Sequence, residues 1–275
     1  MKVSSRLRLG SRYFLLVVAA IVVALPIYVA VVLAAQPGER LLDFPGVLFP
    51  RSFELESFRR AMELGSLSRY MVNSAAVSTV IVVGQVTTSV LGGYAFACLR
   101  FPAKRILFVA FLATHMVPAE VTIVANYETI QRLGWVDTFP ALTVPFLASA
   151  YGTFLLRQIF LQIPRELRDA AALDGYGHVG FLWNVALPLA KPAVAALGLF
   201  SFLGAWNQYL WPLLVTNDDS HRTVQIGLKT LASTNLDQIN LVMAGTVIAA
   251  LPIVVLLLLF QRQLVRGLTA GAVKG

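Results

Sequence analysis

Residues 70–99 read YMVNSAAVSTVIVVGQVTTSVLGGYAFACL, a stretch without any aspartate, glutamate, lysine or arginine. Since a helix rises ~1.5 Å per residue, about twenty residues cross the ~30 Å hydrocarbon core of a bilayer, and this stretch exceeds that length. A helix also satisfies its own backbone hydrogen bonds, as lipid requires. The stretch therefore predicts a transmembrane helix. Small residues recurring every four positions predict close helix packing: Gly84, Thr88 and Gly92, and Ser89, Gly93 and Ala97.

Similar charge-free stretches occur five more times, at residues 13–38, 106–119, 138–156, 192–217 and 238–261. The stretch at 106–119 is short, and we extend it to Ala125 as one helix that carries Glu120 within the membrane. The first stretch follows a basic tail but is longer than the apolar part of a signal peptide, which favours a retained anchor. Only 13% of the residues are charged, against roughly a quarter in soluble domains. The sequence therefore predicts an all-α membrane protein with six transmembrane helices.

The net charge of +8 is produced by basic residues on alternate connections between these stretches. They lie in the amino-terminal tail, at 100–105, at 157–191 and after residue 261. Because lysine and arginine collect on cytoplasmic loops, both termini are predicted to be cytoplasmic. This distribution explains the positive charge without a nucleic-acid partner.

No catalytic, metal or cofactor site can be assigned from the sequence. Cys98 is the only cysteine, and neither an HExxH pattern nor a GxxxxGK[ST] phosphate loop occurs. The histidines are far apart in sequence: His115, His178 and His221. Gly175, Gly177 and Gly180 match GxGxxG, but a charged helical segment precedes them instead of a buried strand, so a turn is the favoured interpretation.

The longest cytoplasmic connection, residues 157–191, reads RQIFLQIPRELRDAAALDGYGHVGFLWNVALPLAK. Pro164 suits a helix start, and Asp174-Gly175 suits a helix end because glycine tolerates positive φ. A helix is therefore predicted over Arg165–Leu173. A second short apolar helix is predicted over Val179–Leu187, ending before Pro188, with both helices along the membrane surface.

This connection resembles the signature loop of the integral-membrane permease subunits of bacterial ATP-binding-cassette (ABC) importers. The family pattern is Glu-Ala-Ala, a glycine four residues later, and a Leu-Pro pair. Here Asp169-Ala170-Ala171, Gly175 and Leu187-Pro188 stand at those positions, with Asp for Glu, and Tyr176 where a small residue often follows. Other stretches resemble the glycerol-3-phosphate permease subgroup: MVPAEV (116–121), FLLRQIF (154–160), WNQYLWPLL (206–214) and the terminal RGLTAGAVKG (266–275).

The resemblance implies a single transmembrane permease domain, residues 1–275, in the bacterial inner membrane. Residues 157–191 would form its cytoplasmic coupling loop. The implied partners are a homologous second permease, two ATPase subunits that use ATP and Mg²⁺, an extracytoplasmic substrate-binding protein and membrane lipid. The implied cargo is glycerol-3-phosphate or a glycerophosphodiester such as glycerophosphocholine, with a sugar or oligosaccharide as the alternative.

The resemblance also implies that the first helix of the loop inserts into a groove on an ATPase. Small and apolar side chains would enter the groove, while Arg168 and Asp169 pair at its rim. A helix that merely lies at the membrane interface is the alternative. The implied coupling residues are Leu167, Arg168, Asp169, Ala170, Ala171, Leu173, Asp174 and Gly175.

Polar residues inside the apolar stretches are the candidates for a substrate path, because such groups are costly in lipid. Glu120 is a path residue or a structural carboxylate. His115 lies about 140° from Glu120 on an ideal helix, so the two cannot form a dyad, and an interhelical role is favoured. Asn207, Gln208 and Tyr209 line the path or join helices.

Two other function classes compete with this interpretation. An intramembrane enzyme would need a nucleophile paired with a base, and no such pair can be nominated from the sequence. A self-contained secondary transporter would be expected to show internal inverted repeats, which we do not detect.

Overall fold

The computed structural model describes residues 2–38, 45–49, 53–63, 66–235 and 238–269, and every regular element within these ranges is helical. The last residues of the terminal motif, 270–275, lie outside the described residues. The α-helices are α1 (Lys2–Ala34), α2 (Glu56–Glu63), α3 (Leu67–Cys98), α4 (Lys104–Thr114), α5 (Ala119–Arg132), α6 (Phe139–Thr143), α7 (Ala150–Leu161), α8 (Arg165–Leu173), α9 (His178–Phe181), α10 (Leu187–Trp206), α11 (Leu210–Val215), α12 (Val224–Thr234) and α13 (Ile239–Thr269).

The chain divides into two compact units, Met1–Ser68 with Gly227–Leu251 and Arg69–Ile226 with Pro252–Gly275. In the first unit, the Asn240 side chain donates to Ser57 Oγ at 3.0 Å and to the Gln36 carbonyl at 3.4 Å. These hydrogen bonds tie α2 and the end of α1 to α13.

Two hydrophobic clusters lie among the residues of the second unit that the structure describes. One surrounds Leu156 and Phe160, and the other surrounds Leu142 and Trp211. Helix α3 packs closely on the rest of this unit: a Cβ at Gly93 would lie 2.9 Å from the Arg157 backbone nitrogen. The small-residue pattern in α3 is therefore a packing surface, as predicted.

Four helices are long and apolar enough to cross a membrane: Gly10–Ala34, Leu67–Cys98, His178–Trp206 and Ile239–Gln261. Two bent pairs could each form one further span. Helices α4 and α5 meet at 93°, and the segment Phe139–Phe146 meets α7 at 42°. The described residues thus contain four to six candidate spans.

The single helix predicted from residue 106 to Ala125 is wrong. Helix α4 ends at Thr114, and α5 begins only at Ala119. The physical reason is Pro118, which has extended backbone angles (φ −59°, ψ 136°) and no N–H to continue the helix. The stretches at 138–156 and 192–217 are also interrupted, at residues 147–149 and 207–209.

The connection at residues 157–191 agrees with the sequence-based prediction in its first half and differs in its second. Helix α8 has the predicted bounds, and Gly175 has φ +83°. The predicted stop before Pro188 is wrong, because helical structure continues from His178 to Trp206 as one candidate span. A π-helical turn over Leu182–Ala186 widens the helix beside Pro188, which relieves the clash of the proline ring with the preceding turn.

Candidate functional site

The three interruptions of otherwise apolar stretches border one polar cavity of about 410 Å³ in the second unit. The break after α4 contributes His115, the break before α7 contributes Ser149, and the break after α10 contributes Gln208. Gln85 of α3 and Ser201 of α10 add further polar groups to a lining that also includes apolar side chains. Irregular backbone at membrane depth is tolerated where it lines a cavity or is buried in protein, so this convergence marks a candidate site.

Side chains of α3 hold the break before α7 in place. Gln85 Nε2 donates to the Phe146 carbonyl at 2.9 Å, and Thr88 Oγ1 donates to the Leu147 carbonyl at 2.9 Å. Gln85 Oε1 in turn accepts from Ser201 Oγ at 2.7 Å. The amide of Gln85 therefore links α3, the break and α10, and its polar atoms are committed to structure.

Other polar groups on the cavity remain available to a solute. Within the described ranges, the buried Oε1 of Gln208 has no hydrogen-bond partner. The His115 ring lies 6.4 Å from the exposed Tyr151 ring, measured between centroids. An amide, an imidazole and a phenol can donate and accept hydrogen bonds, which suits a small solute rich in oxygen.

A second recess of about 290 Å³ shares Gln208 with the first and brings together Glu120, Gln208 and Tyr209. Glu120 occupies the first turn of α5, where the positive end of the helix dipole favours a carboxylate. It is exposed at the edge of the break, not embedded within a straight helix as expected from the sequence. His115 precedes the break and Glu120 follows it, so the two line different recesses.

Asn207 differs from Glu120, Gln208 and Tyr209 because its side-chain amide is hydrogen-bonded within the protein. Its Nδ2 donates to the Leu203 carbonyl at 2.8 Å, and its Oδ1 accepts from Gln225 Nε2 at 3.3 Å. These contacts place Asn207 at the end of α10 in a structural position. Sequence analysis missed Gln85, Ser201 and Tyr151 as cavity residues, although a glutamine within a long apolar stretch was an available signal.

The eight coupling candidates divide between two faces of α8 and its terminal turn. Leu167 and Leu173 are 42% and 90% exposed. Ala171 is only 5% exposed and packs inside the chain. The exposed members are Leu167, Asp169, Ala170, Leu173, Asp174 and Gly175.

We expected Ala171 in an ATPase groove and Arg168 at its rim, but in this chain both side chains pack toward the interior. The Arg168 guanidinium is half-buried and donates to Cys98 Sγ at 3.4 Å. The physical reason is helical spacing: residues three apart share a face, and this face is covered by α3 and α9.

Asp137, which lies between α5 and α6, holds the loop that follows α11. This residue has φ +60°, and its carboxylate accepts hydrogen bonds from the backbone N–H groups of Asn217 and Asp218. Partial burial opposes its ionisation, but these hydrogen bonds outweigh that effect and hold the pKa of Asp137 below its ordinary value.

A sequence model of the family described as "Binding-protein-dependent transport system inner membrane component" matches residues 77–270. The chain belongs to this family. The sn-glycerol-3-phosphate transport system permease protein UgpE of Yersinia pestis (bv. Antiqua, strain Antiqua) is 36% identical to it over 93% of this chain and 94% of the relative. UgpE of Brucella abortus (strain 2308) is 38% identical, with the same shares covered.

Solved structures support the same fold. The chain superimposes with a TM-score of 0.83 on a chain of a bacterial ABC transporter involved in the import of the acidic polysaccharide alginate. The identity is 22%, and the match covers 94% of this chain and 97% of the other. As a member of its family, the chain is an inner membrane transport component and not an enzyme. The resemblance noted in the sequence is thereby confirmed.

Proposed function

We propose that this permease moves glycerol-3-phosphate or a glycerophosphodiester, such as glycerophosphocholine, inward across the plasma membrane. The support is the extent of the likeness to the UgpE proteins, 36–38% identity over 93% of the chain. The cavity chemistry fits such a cargo, because His115, Tyr151 and Gln208 can hydrogen-bond to phosphate oxygens and hydroxyl groups. A hydroxyl-rich sugar is the competing cargo, and the transport assay below separates the two.

The observation that carries this proposal is the convergence of three helix breaks on one polar cavity. Interrupted membrane helices commonly form substrate sites, since the break exposes backbone and polar side chains at membrane depth. Glu120, Gln208 and Tyr209 then belong to the substrate path, and Asn207 supports it from the end of α10.

The complete transporter contains, on this proposal, a second homologous permease, two ATPase subunits and an extracytoplasmic binding protein. The family description already names a binding protein, and a relative in fold was crystallised with a periplasmic protein bound to an alginate pentasaccharide. ATP and Mg²⁺ are used by the ATPase subunits. Residues 157–191 form the coupling loop of a single permease domain, and the exposed apolar residues Leu167 and Leu173 enter an ATPase groove.

The proposed topology has six spans, with α4 and α5 as one broken span and α6 and α7 as another. Both termini and α8 are cytoplasmic. Cysteines placed one at a time at Ser220 and His178, in a Cys98→Ser background, test this arrangement with a membrane-impermeant thiol reagent. The cysteine at 220 should react in intact cells, and the cysteine at 178 only after permeabilisation. The reverse pattern contradicts the topology.

The transport proposal is tested with the assembled complex in vesicles that contain ATP. Uptake of labelled glycerol-3-phosphate, glycerophosphocholine and maltotriose should be compared in the presence of the cognate binding protein. ATP-dependent uptake of either phosphate compound supports the proposal. Uptake of the oligosaccharide alone, or uptake driven by an ion gradient without ATP, refutes it.

A further inference from the structure

Helix α8 is attached to the rest of its unit by the face that carries Arg168 and Ala171. Ala171 is buried in the same hydrophobic cluster as Cys98 and Phe181. Every other residue of α8 is exposed. A force applied to the exposed side of α8 therefore reaches the protein interior through these two side chains or through the backbone that enters and leaves α8.

Arg168 donates a hydrogen bond that is weak for a guanidinium. Its Nη2 donates to a thiol, Cys98 Sγ, and its Cζ lies 5.9 Å from the Phe181 ring centroid. Within the part of the chain that the structure describes, the buried Nε of Arg168 has no hydrogen-bond partner. Sulfur is a weak acceptor, so this contact can open and close at little cost.

The end of α3 that carries Cys98 also accepts hydrogen bonds from side chains of two other helices. Lys104 of α4 donates from Nζ to the Leu99 carbonyl at 2.9 Å and to the Ala97 carbonyl at 3.3 Å. Arg157 of α7 donates from Nε to the Phe96 carbonyl at 3.1 Å. Cations suit the negative end of a helix dipole, so Lys104 and Arg157 stabilise the last turn of α3 as a helix.

The same helix borders the polar cavity. Gln85 precedes Cys98 by thirteen residues on α3, or about 20 Å along a helix. A displacement of the end of α3 is thus transmitted to a cavity residue through one continuous helix, without crossing a loop.

We propose that Arg168 is a positioning residue that seats α8 on the end of α3 through Cys98, and that it passes the displacement of α8 to the cavity. The inference rests on the proposed coupling role of α8. Arg168 acts within the permease chain, whereas the exposed residues of α8 meet the ATPase. The contact also shields the Cys98 thiol.

The native cysteine provides a direct readout, because Cys98 is the only cysteine of the chain. The assembled complex is treated with N-ethylmaleimide, and labelling of this chain is followed by mass spectrometry so that partner thiols are counted separately. Arg168→Gln should expose Cys98 and raise its labelling rate several-fold, as expected from the loss of a weak hydrogen bond and of the side chain that covers the thiol. Arg165→Gln, at the exposed first residue of the same helix, is the matched control for labelling only and should leave the labelling rate unchanged.

Transport coupling is the second readout. In Arg168→Gln, the amount of cargo moved per ATP hydrolysed should fall about tenfold while the ATPase subunits stay bound, a change within the range of site-to-site coupling. Cys98→Ser keeps an acceptor and should retain coupling, whereas Cys98→Ala should lose it. Arg168→Gln combined with Cys98→Ala should be no worse than either change alone.

Three results overturn the proposal: wild-type labelling and coupling in Arg168→Gln, wild-type coupling in Cys98→Ala, or an equal rise of Cys98 labelling in Arg165→Gln. Labelling needs no cargo, so it separates this inference from the proposed function. If the wild-type complex imports neither phosphate compound but Cys98 labelling still depends on Arg168, the cargo proposal fails and the seating of α8 stands.

Discussion

The end of α8 and the break before α7 are both sharp changes of chain direction, but different forces stabilise them. Gly175 ends α8 with φ +83°, and a Cβ there would meet nothing within 4 Å, so only its backbone conformation is demanding. The break at Leu147 is instead held by α3, through hydrogen bonds from Gln85 and Thr88. The first turn therefore depends on one local residue, and the second depends on contacts across about sixty residues of sequence.

The strongest test of the local turn is Gly175→Val, for which we expect the largest effect of all. A β-branched residue rarely adopts positive φ, and the conformational cost is about 1–2 kcal/mol. The turn should change conformation and direct α8 away from the ATPase, so that transport falls more than tenfold although the permease still inserts into the membrane. Uptake per assembled complex is the measurement.

Gly177→Val is the matched control for this substitution. Gly177 lies two residues away, has an ordinary φ of −75° and also has open space around its Cβ position. It should retain most transport activity. Equal losses in both variants, or wild-type transport in Gly175→Val, contradict a turn that depends on backbone conformation.

The break at Leu147, which α3 holds through hydrogen bonds, should be destabilised by a larger side chain on α3. A Cβ at Gly84 would lie 2.5 Å from Leu147 Cδ2, so this side chain must move, and 3.3 Å from the Leu147 Cα, which is a tight contact with the backbone of the break. Gly84→Ala should destabilise the permease by about 1–3 kcal/mol, the usual cost of overpacking. Thermal unfolding of the purified complex measures this change.

Gly198→Ala on α10 gives the comparison for Gly84→Ala. Its Cβ would meet two valine side chains at 3.8 Å, which is ordinary contact. Its melting temperature should stay near that of the wild type or rise slightly, because alanine favours helix over glycine. A fall equal to that of Gly84→Ala shows that crowding at Leu147 is not the cause.

Glu120 tests whether the broken region is a path as well as a structural feature. Glu120→Gln keeps the shape and removes the charge from the recess shared with Gln208. We expect a several-fold change in transport with normal assembly, a smaller effect than loss of coupling, since the exposed carboxylate is partly solvated. Unchanged uptake and unchanged cargo-stimulated ATP hydrolysis exclude a path role for this charge.

The contrast also explains which features the sequence could predict. Pro164 and Gly175 carry their conformational preferences with them, so the bounds of α8 followed from residue types alone. Long apolar stretches such as α3 and α13 followed from composition. The break at 147–149 lies inside an apolar stretch, and the side chains that hold it come from α3, so apolar composition did not predict it. The break at 207–209 coincides with the polar residues Asn207 and Gln208, which the sequence marked as path candidates but not as a helix end.

Asp137 combines both kinds of stabilisation, and its removal should have the smallest effect. Like Gly175 it has positive φ, but hydrogen bonds from Asn217 and Asp218 hold it from a distance. Because its folded pKa is depressed, its stabilisation of the loop is present above the ordinary pKa of 3.8 and is lost as the pH falls through the folded pKa. Hydrogen exchange at the amides of Asn217 and Asp218, corrected for intrinsic rates, should show a few-fold loss of protection in the wild type between about pH 5 and pH 2.

Asp137→Asn is the informative variant for this loop, since asparagine tolerates positive φ and keeps one acceptor oxygen. Its amides should show reduced protection that no longer depends on pH in this range. Asp137→Gly, which keeps the backbone freedom and removes both acceptors, should lose more protection than Asp137→Asn. If Asp137→Gly is instead as well protected as the wild type, the loop is stabilised by backbone conformation alone, and Asp137 belongs with Gly175 on the local side of the comparison.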